Sequence, residues 1–327
     1  MLFGCGRTSL LDRASGTGGV GASRGTNATS RVGTGGATSV PGGNPGTGGT
    51  SGTGGTSGTG ETVVATIAAG AYHTCVVHRN GSLACWGKND QGQASPPEGA
   101  FIAVSGGCDN TCALRNDGVL TCWGSNANGQ SNARSGSYTA LALGCSFGCA
   151  VRARAPLGIG ADALLTCWGY PEPTESWPAD GRFSTISAGA SHSCGLRPDG
   201  NLACWGASFA GQARPPQGTF TAVACGGNHS CGIRSDGTLV CWGDDDWKQA
   251  SPPPGTFTAL ALGDEHSCGI LTDGTVACWG HDPYGQASPR DGAFQAIAAG
   301  HDHTCGLRVD GAIVCWGSNA FGQASPP

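Results

Sequence analysis

The chain has 327 residues, of which 12% are charged, and it carries a formal net charge of -5. Such a composition lacks the basic footprint that phosphate-backbone binding requires, so no nucleic-acid partner is expected. The 60 glycines and 18 prolines would indicate disorder in an unpatterned chain, yet after Thr62 most of them recur at fixed intervals.

Residues 1–13 form the first segment. Cys5 follows Leu2-Phe3-Gly4, which resembles the cleavage-and-lipidation box of bacterial lipoproteins: an apolar residue three positions before, a small residue one before, then the cysteine to be acylated. The basic and apolar leader that should precede such a box is absent, which predicts that Met1 is an internal start and that the signal peptide lies upstream. Any membrane association is expected only through a lipid on Cys5, because no other stretch is long and apolar enough to span a bilayer. Residues 14–61 are mostly Gly, Thr and Ser, cannot bury a core, and are expected to be a disordered linker.

From Thr62 to Pro327 the tripeptide Cys-Trp-Gly recurs seven times, with its cysteine at 85, 122, 167, 204, 241, 278 and 315. The interval is 37 residues except before Cys167, where it is 45, so a repeat array is the first reading. One unit is clear in Phe257 to Gly280. It has three short apolar segments separated by Gly-Asp-Glu and Thr-Asp-Gly, too short and too rich in Gly and β-branched residues for helices. Near-continuous apolarity along each segment predicts strands covered on both faces, as in propeller blades.

The hairpin register follows from the turn. Arg79-Asn80-Gly81 reads as a three-residue loop ending in a left-handed Gly, so His78 faces Ser82 and Cys75 lies opposite Cys85. Alternation makes that a non-hydrogen-bonded pair with Cα atoms roughly 4.5 Å apart, near the short end of disulfide geometry. The same count pairs Cys112 with Cys122, Cys194 with Cys204, Cys231 with Cys241, Cys268 with Cys278, and Cys305 with Cys315. In the third copy an eight-residue insertion separates Cys149 from Cys167, and the strands are still expected to pair below the longer loop. Of the remaining cysteines, Cys108 and Cys145 share one repeat position in adjacent copies and predict a bridge between blades. Cys225 is read as a small buried thiol. No metal or other cofactor is expected, because a Cys-x9-Cys spacing lacks the tight knuckle of zinc sites. So many disulfides imply an oxidising, extracytoplasmic compartment, with a cell-envelope lipoprotein or a secreted protein as the two forms.

The unit Ala-Ala-Gly-x-x-His-Thr-Cys, Asp-Gly, Cys-Trp-Gly-x-Asn and Gly-Gln resembles the repeat of the regulator of chromosome condensation family, in the cysteine-bearing form of bacterial secreted proteins. The resemblance covers Thr62 to Pro327 and implies an all-β, seven-bladed β-propeller. The ring would close where the chain stops at Pro327, with Val63–Ala69 filling the gap, and is expected to act as a monomer. The family includes an exchange factor for a nucleotide-binding protein and a secreted β-lactamase inhibitor, but fold alone transfers neither activity.

Repeated residues read as scaffold: His73, His192, His229, His266 and His303 as hydrogen-bonding groups between strands or blades, the Cys-Trp-Gly tryptophans as interblade packing, and Gly-Gln as turns. Function is expected where copies differ. Five residues after the tryptophan, copies five to seven carry Trp247, Tyr284 and Phe321, with Asp245, Asp246 and Asp282 beside them, and the third copy gains Trp177. An aromatic and acidic arc suits a protein or glycan partner, and no catalytic residue is assigned. The competing reading is an enzyme built from axial groups, Asp264, Glu265 and His266 with His301 and Asp302. It lacks a nucleophile motif, a metal triad or a phosphate loop.

Overall fold

The computed structural model describes residues 64–153, 165–170 and 182–327, and they form seven three-stranded antiparallel sheets with no helix. The expectations for Cys5, residues 14–61, the third-copy insertion and Trp177 lie outside the described residues. The first sheet joins Val64–Ala69, His73–His78 and Leu83–Gly87 in chain order, and the other blades span 101–124, 138–169, 185–206, 220–243, 257–280 and 294–317. Each first strand neighbours the first strands of both adjacent blades, blade 7 meeting blade 1, so the first strands encircle the axis and the ring is closed. Val64–Ala69 is the whole first strand of blade 1, and every blade is built from one continuous stretch.

The hairpin register is the one the turn dictates. Gly81 takes φ 86°, the His78 amide donates to the Ser82 carbonyl at 2.9 Å, and Cys75 faces Cys85. The seven facing cysteine pairs lie with Cα atoms 3.9–4.1 Å apart and are bonded, tighter than the roughly 4.5 Å typical of such pairs. Cys108 and Cys145 are joined between blades 2 and 3, at a position whose neighbours circle the axis: Ala71 donates to Gly107, Cys145 to Ala190, and His301 to Ala71. Cys225 is a free, buried thiol, and burial pushes it up to about 12.

The core is divided among the blade interfaces. Between blades 7 and 1, Ile67, Val76 and Trp86 pack with Ala298, Cys305 and Leu307, and six equivalent clusters occupy the other seams. Each Cys-Trp-Gly ring is therefore packing against the preceding blade. Six of these indoles also have a polar tie, as when Trp86 donates to the Gln323 carbonyl at 2.9 Å and Trp316 to Gln286 at 3.0 Å.

The repeated histidines complete five of the seven seams. His73 Nε2 lies 2.7 Å from the Thr111 hydroxyl of the next blade, which donates its one proton to the Gln93 carbonyl at 2.8 Å. The imidazole must therefore be the donor, protonated on Nε2. The same relay runs from His192 to Ser230, His229 to Ser267, His266 to Thr304, and His303 to Thr74 across the closing seam. Burial pushes His73, His192 and His266 down to about 4 and His229 and His303 to about 3, which keeps all five neutral. The glycine three residues earlier is obligatory: a Cβ on Gly70 would run into the His73 ring and the Gly107 carbonyl.

Copies two and three abandon this relay together. Gly148 stands where the hydroxyl would be, and Asn110 instead donates directly to the Gln130 carbonyl at 3.3 Å. Phe147 lies over Gly144 as a histidine would, and the buried Ser193 hydroxyl it faces in sequence register has no hydrogen-bond partner among the described residues.

Candidate functional site

One face of the ring carries the turns between first and middle strands and the loops that follow Cys-Trp-Gly. The two are tied in every blade, because the second residue after each tryptophan donates its amide to the second turn residue: Lys88 to Tyr72, His281 to Glu265, Ser318 to Asp302. The loop then folds on its own glutamine. Gln249 accepts from the Trp247 amide at 2.8 Å, Gln286 from Tyr284 at 3.0 Å and Gln323 from Phe321 at 2.8 Å, which turns each aromatic outward. A left-handed residue precedes the glutamine, Gly in five copies at φ 74–85° and Lys248 in the fifth at φ 67°.

Trp247, Tyr284 and Phe321 are 50%, 60% and 48% exposed on this face, in three consecutive blades. Trp247 stacks on His281, with ring centroids 4.2 Å apart, and His281 in turn lies 3.1 Å from the Glu265 carboxylate. Phe321 meets Tyr72 edge-on at 5.5 Å, and the Lys88 ammonium sits near both rings, 5.6 Å from Tyr72 and 6.0 Å from Phe321. That ammonium also bonds the Asp109 carboxylate at 2.8 Å.

The expected acids divide into two kinds. Asp245 and Asp282 brace their own loops: each accepts the amide five residues on, from Ala250 at 2.9 Å and Ala287 at 2.7 Å, and a serine hydroxyl. Asn89, Asn126 and Asn319 do the same work in other copies. Asp246 is exposed, its amide bonded to Asp244.

At the axial mouth, His301 lies between two carboxylates, Nδ1 at 2.6 Å from Asp302 and Nε2 at 3.2 Å from Asp264, while Tyr72 stacks on the ring at 5.3 Å. Burial pushes the Asp302 carboxyl up, but the hydrogen bond and charge of His301, with smaller effects from His266 and His281, leave it below its ordinary value. With both nitrogens facing carboxylates, the ring holds the mouth together and has no nitrogen turned toward a substrate while those contacts last. His266 belongs elsewhere, fully buried in the relay to Thr304, so the axial grouping with Asp264 and Glu265 does not form. Sequence reasoning also passed over Lys88 and His281 beneath the aromatics, and Phe209, 68% exposed in copy four. The available signal was the residue two after each tryptophan, Lys88 and His281 against Ser125, Ala207 and Ser318.

The regulator of chromosome condensation (RCC1) repeat model matches residues 64–93, 101–130, 183–212, 220–246, 257–286 and 294–323, more than half of the chain. The chain belongs to the RCC1 repeat family. The RCC1 repeats matched are six, and the blade without a match is the third, which carries Phe147 and Gly148. Among solved structures, the ring is similar to the entire ectodomain of the receptor kinase CR4 from Physcomitrella patens, at 28% identity and TM-score 0.68, covering 78% of this chain and 74% of that one. It is also similar to the CRINKLY WD40 ectodomain of the receptor kinase ACR4 from Arabidopsis thaliana, at 26% identity and TM-score 0.67, covering 81% and 98%. No curated protein matches the chain. The disulfide in every blade and the likeness to receptor ectodomains suggest an extracytoplasmic RCC1-repeat ring.

Proposed function

We propose that this chain is a non-enzymatic interaction module of the cell envelope, an RCC1-repeat ring that presents one face to a protein or glycan partner. The observation that carries the reading is the exposure of Trp247, Tyr284 and Phe321 on one face of adjacent blades, held outward by their loop glutamines. Aromatic side chains on a rigid frame supply contact area at low entropic cost, and clusters of them mark binding surfaces. The likeness to receptor ectodomains supports an extracellular setting. A lipid on Cys5, followed by the Gly/Thr/Ser-rich residues 14–61, is the tether this reading includes.

The test is photo-crosslinking from position 284 in native envelope, with the partner identified by mass spectrometry and its affinity then measured with purified components. The expected result is saturable binding that the Trp247→Ala, Tyr284→Ala double variant weakens by roughly a hundredfold, from two contact residues at about 1–2 kcal/mol each. Unchanged binding by that variant, or a turnover abolished by Asp302→Asn, would reject the reading.

A further inference from the structure

Each aromatic of the arc is followed, in the next blade, by a residue two after the tryptophan, and in two of the three cases that residue is a basic side chain lying against the aromatic. In blade 1 the residue two after the tryptophan is Lys88, its ammonium beside the Phe321 ring of the preceding loop and on the Asp109 carboxylate of blade 2, with Tyr72 at the turn position where blades 6 and 7 carry an acid. In blade 6 the same position is His281, stacked against Trp247 of the preceding loop and 3.1 Å from Glu265. Blade 7 has the preceding-loop aromatic, Tyr284, and the acid, Asp302, whose Oδ2 bonds His301 at 2.6 Å, but the position between them in the repeat is Ser318. The Ser318 amide donates to the Asp302 carbonyl at 2.7 Å, the same tie that fixes Lys88 and His281 in their blades. Tyr284 is accordingly the most exposed of the three aromatics.

We infer that the Tyr284, Ser318 and Asp302 slot receives a cationic side chain from a lysine- or arginine-rich polypeptide, which takes the place that Lys88 and His281 occupy in the neighbouring blades. A cation over an aromatic face with a carboxylate beside it is the chemistry already present at Lys88. The surrounding surface favours the same partner. Among the described residues, Asp90, Asp109, Asp246, Glu265, Asp282 and Asp302 all reach solvent in these turns and loops, against the cationic groups of Lys88, Arg214 and Lys248. A neutral glycan would gain little from that imbalance, whereas a basic segment is steered toward it and bound by it.

This inference rests on the interaction-module reading and narrows its partner. Hexalysine, hexaglutamate and chitotetraose are titrated into the full, oxidised chain at low salt. Hexalysine is expected to bind, and to weaken as salt is raised, while the other two do not. Tyr284→Ala should weaken hexalysine roughly three- to tenfold. Ser318→Lys, which fills the slot from within as Lys88 does, should weaken it by about tenfold or more. Ala320→Lys, with the same added charge on the same face outside the slot, should keep most of the binding, and Val309→Ala on the opposite face all of it. Equal weakening by Ser318→Lys and Ala320→Lys would overturn the slot, as would chitotetraose binding tighter than hexalysine. If the crosslinked partner is lost in the Trp247→Ala, Tyr284→Ala variant while hexalysine never binds, the cationic identity falls and the module reading stands. If the partner survives that variant, both fall.

Discussion

The two faces of the ring follow opposite rules. On the hairpin face most copies agree, and four place an arginine over an aromatic ring: Arg152 over Tyr138, Arg197 over Phe183, Arg234 over Phe220 and Arg308 over Phe294. Its turn aspartates each accept the amide two residues on, as Asp236 does from Thr238 at 2.9 Å; the Thr238 and Thr275 hydroxyls, with those amides, hold Asp236 and Asp273 below the ordinary carboxylate range, and the amides of Val119 and Asn201 lead in holding Asp117 and Asp199 there. On the mouth face the copies disagree, and aromatics and acids stand clear of the frame. Where every copy carries the same group, a neighbouring copy can satisfy it. A residue present in one copy has no such partner guaranteed, so surface left over for an outside molecule collects on the irregular face.

The sharpest way to break that contrast is acid, because the seams under both faces depend on neutral imidazoles. The five relay histidines have folded values of about 3 to 4, below the unfolded value of 6.5. Their stabilisation is complete above that unfolded value and is lost as pH falls toward the folded ones. Five protons taken up on unfolding give a slope of at most roughly 7 kcal/mol per pH unit. Thermal melts between neutral pH and pH ~4 should show a steep drop in Tm, shallower in His73→Asn, which copies the solution that Asn110 provides. A pH-independent Tm over that span would remove the relay from the account.

A smaller effect separates repeated from unrepeated aromatics. Trp316→Ala, in a ring 2% exposed and bonded to Gln286, should cost about 3–5 kcal/mol in denaturant unfolding. Trp247→Ala, half exposed, should cost about 1 kcal/mol or less. Comparable losses would mean that Trp247 is frame. Smallest of all, Lys248→Gly should stabilise by about 0.5–1 kcal/mol, because Lys248 alone among described non-glycine residues has a positive φ. A loss on that change would assign the lysine side chain a contact that outweighs its strain.

Much of the frame was legible because contacts repeat with the sequence. A histidine meets its hydroxyl 38 residues on in four seams, one more than the period, so any one of these copies implies the others. The hairpin register needed only one turn. The site was legible in part. Trp247, Tyr284 and Phe321 stand out against Gln91 and Asn128, and Lys88 stands out at its own repeat position, but its contact with Phe321 joins opposite ends of the chain and shows only once the ring is closed. Asp245 and Asp282 carry a role the sequence does not show: each carboxylate braces its own loop, and a bracing carboxylate has the same one-letter code as one facing a partner. The linked change at Asn110, Phe147 and Gly148 was visible as substitutions, and its logic needed the seam.

Because each blade is one uninterrupted piece of chain, the boundary between blades 7 and 1 is sewn with the same stitches as the rest, His303 to Thr74 and Trp86 to Gln323. Heredity and architecture then share a unit: duplicating or deleting one 37-residue segment adds or removes a whole blade without cutting a sheet. A gene organised this way can vary one mouth loop at a time while the remaining copies keep the ring intact.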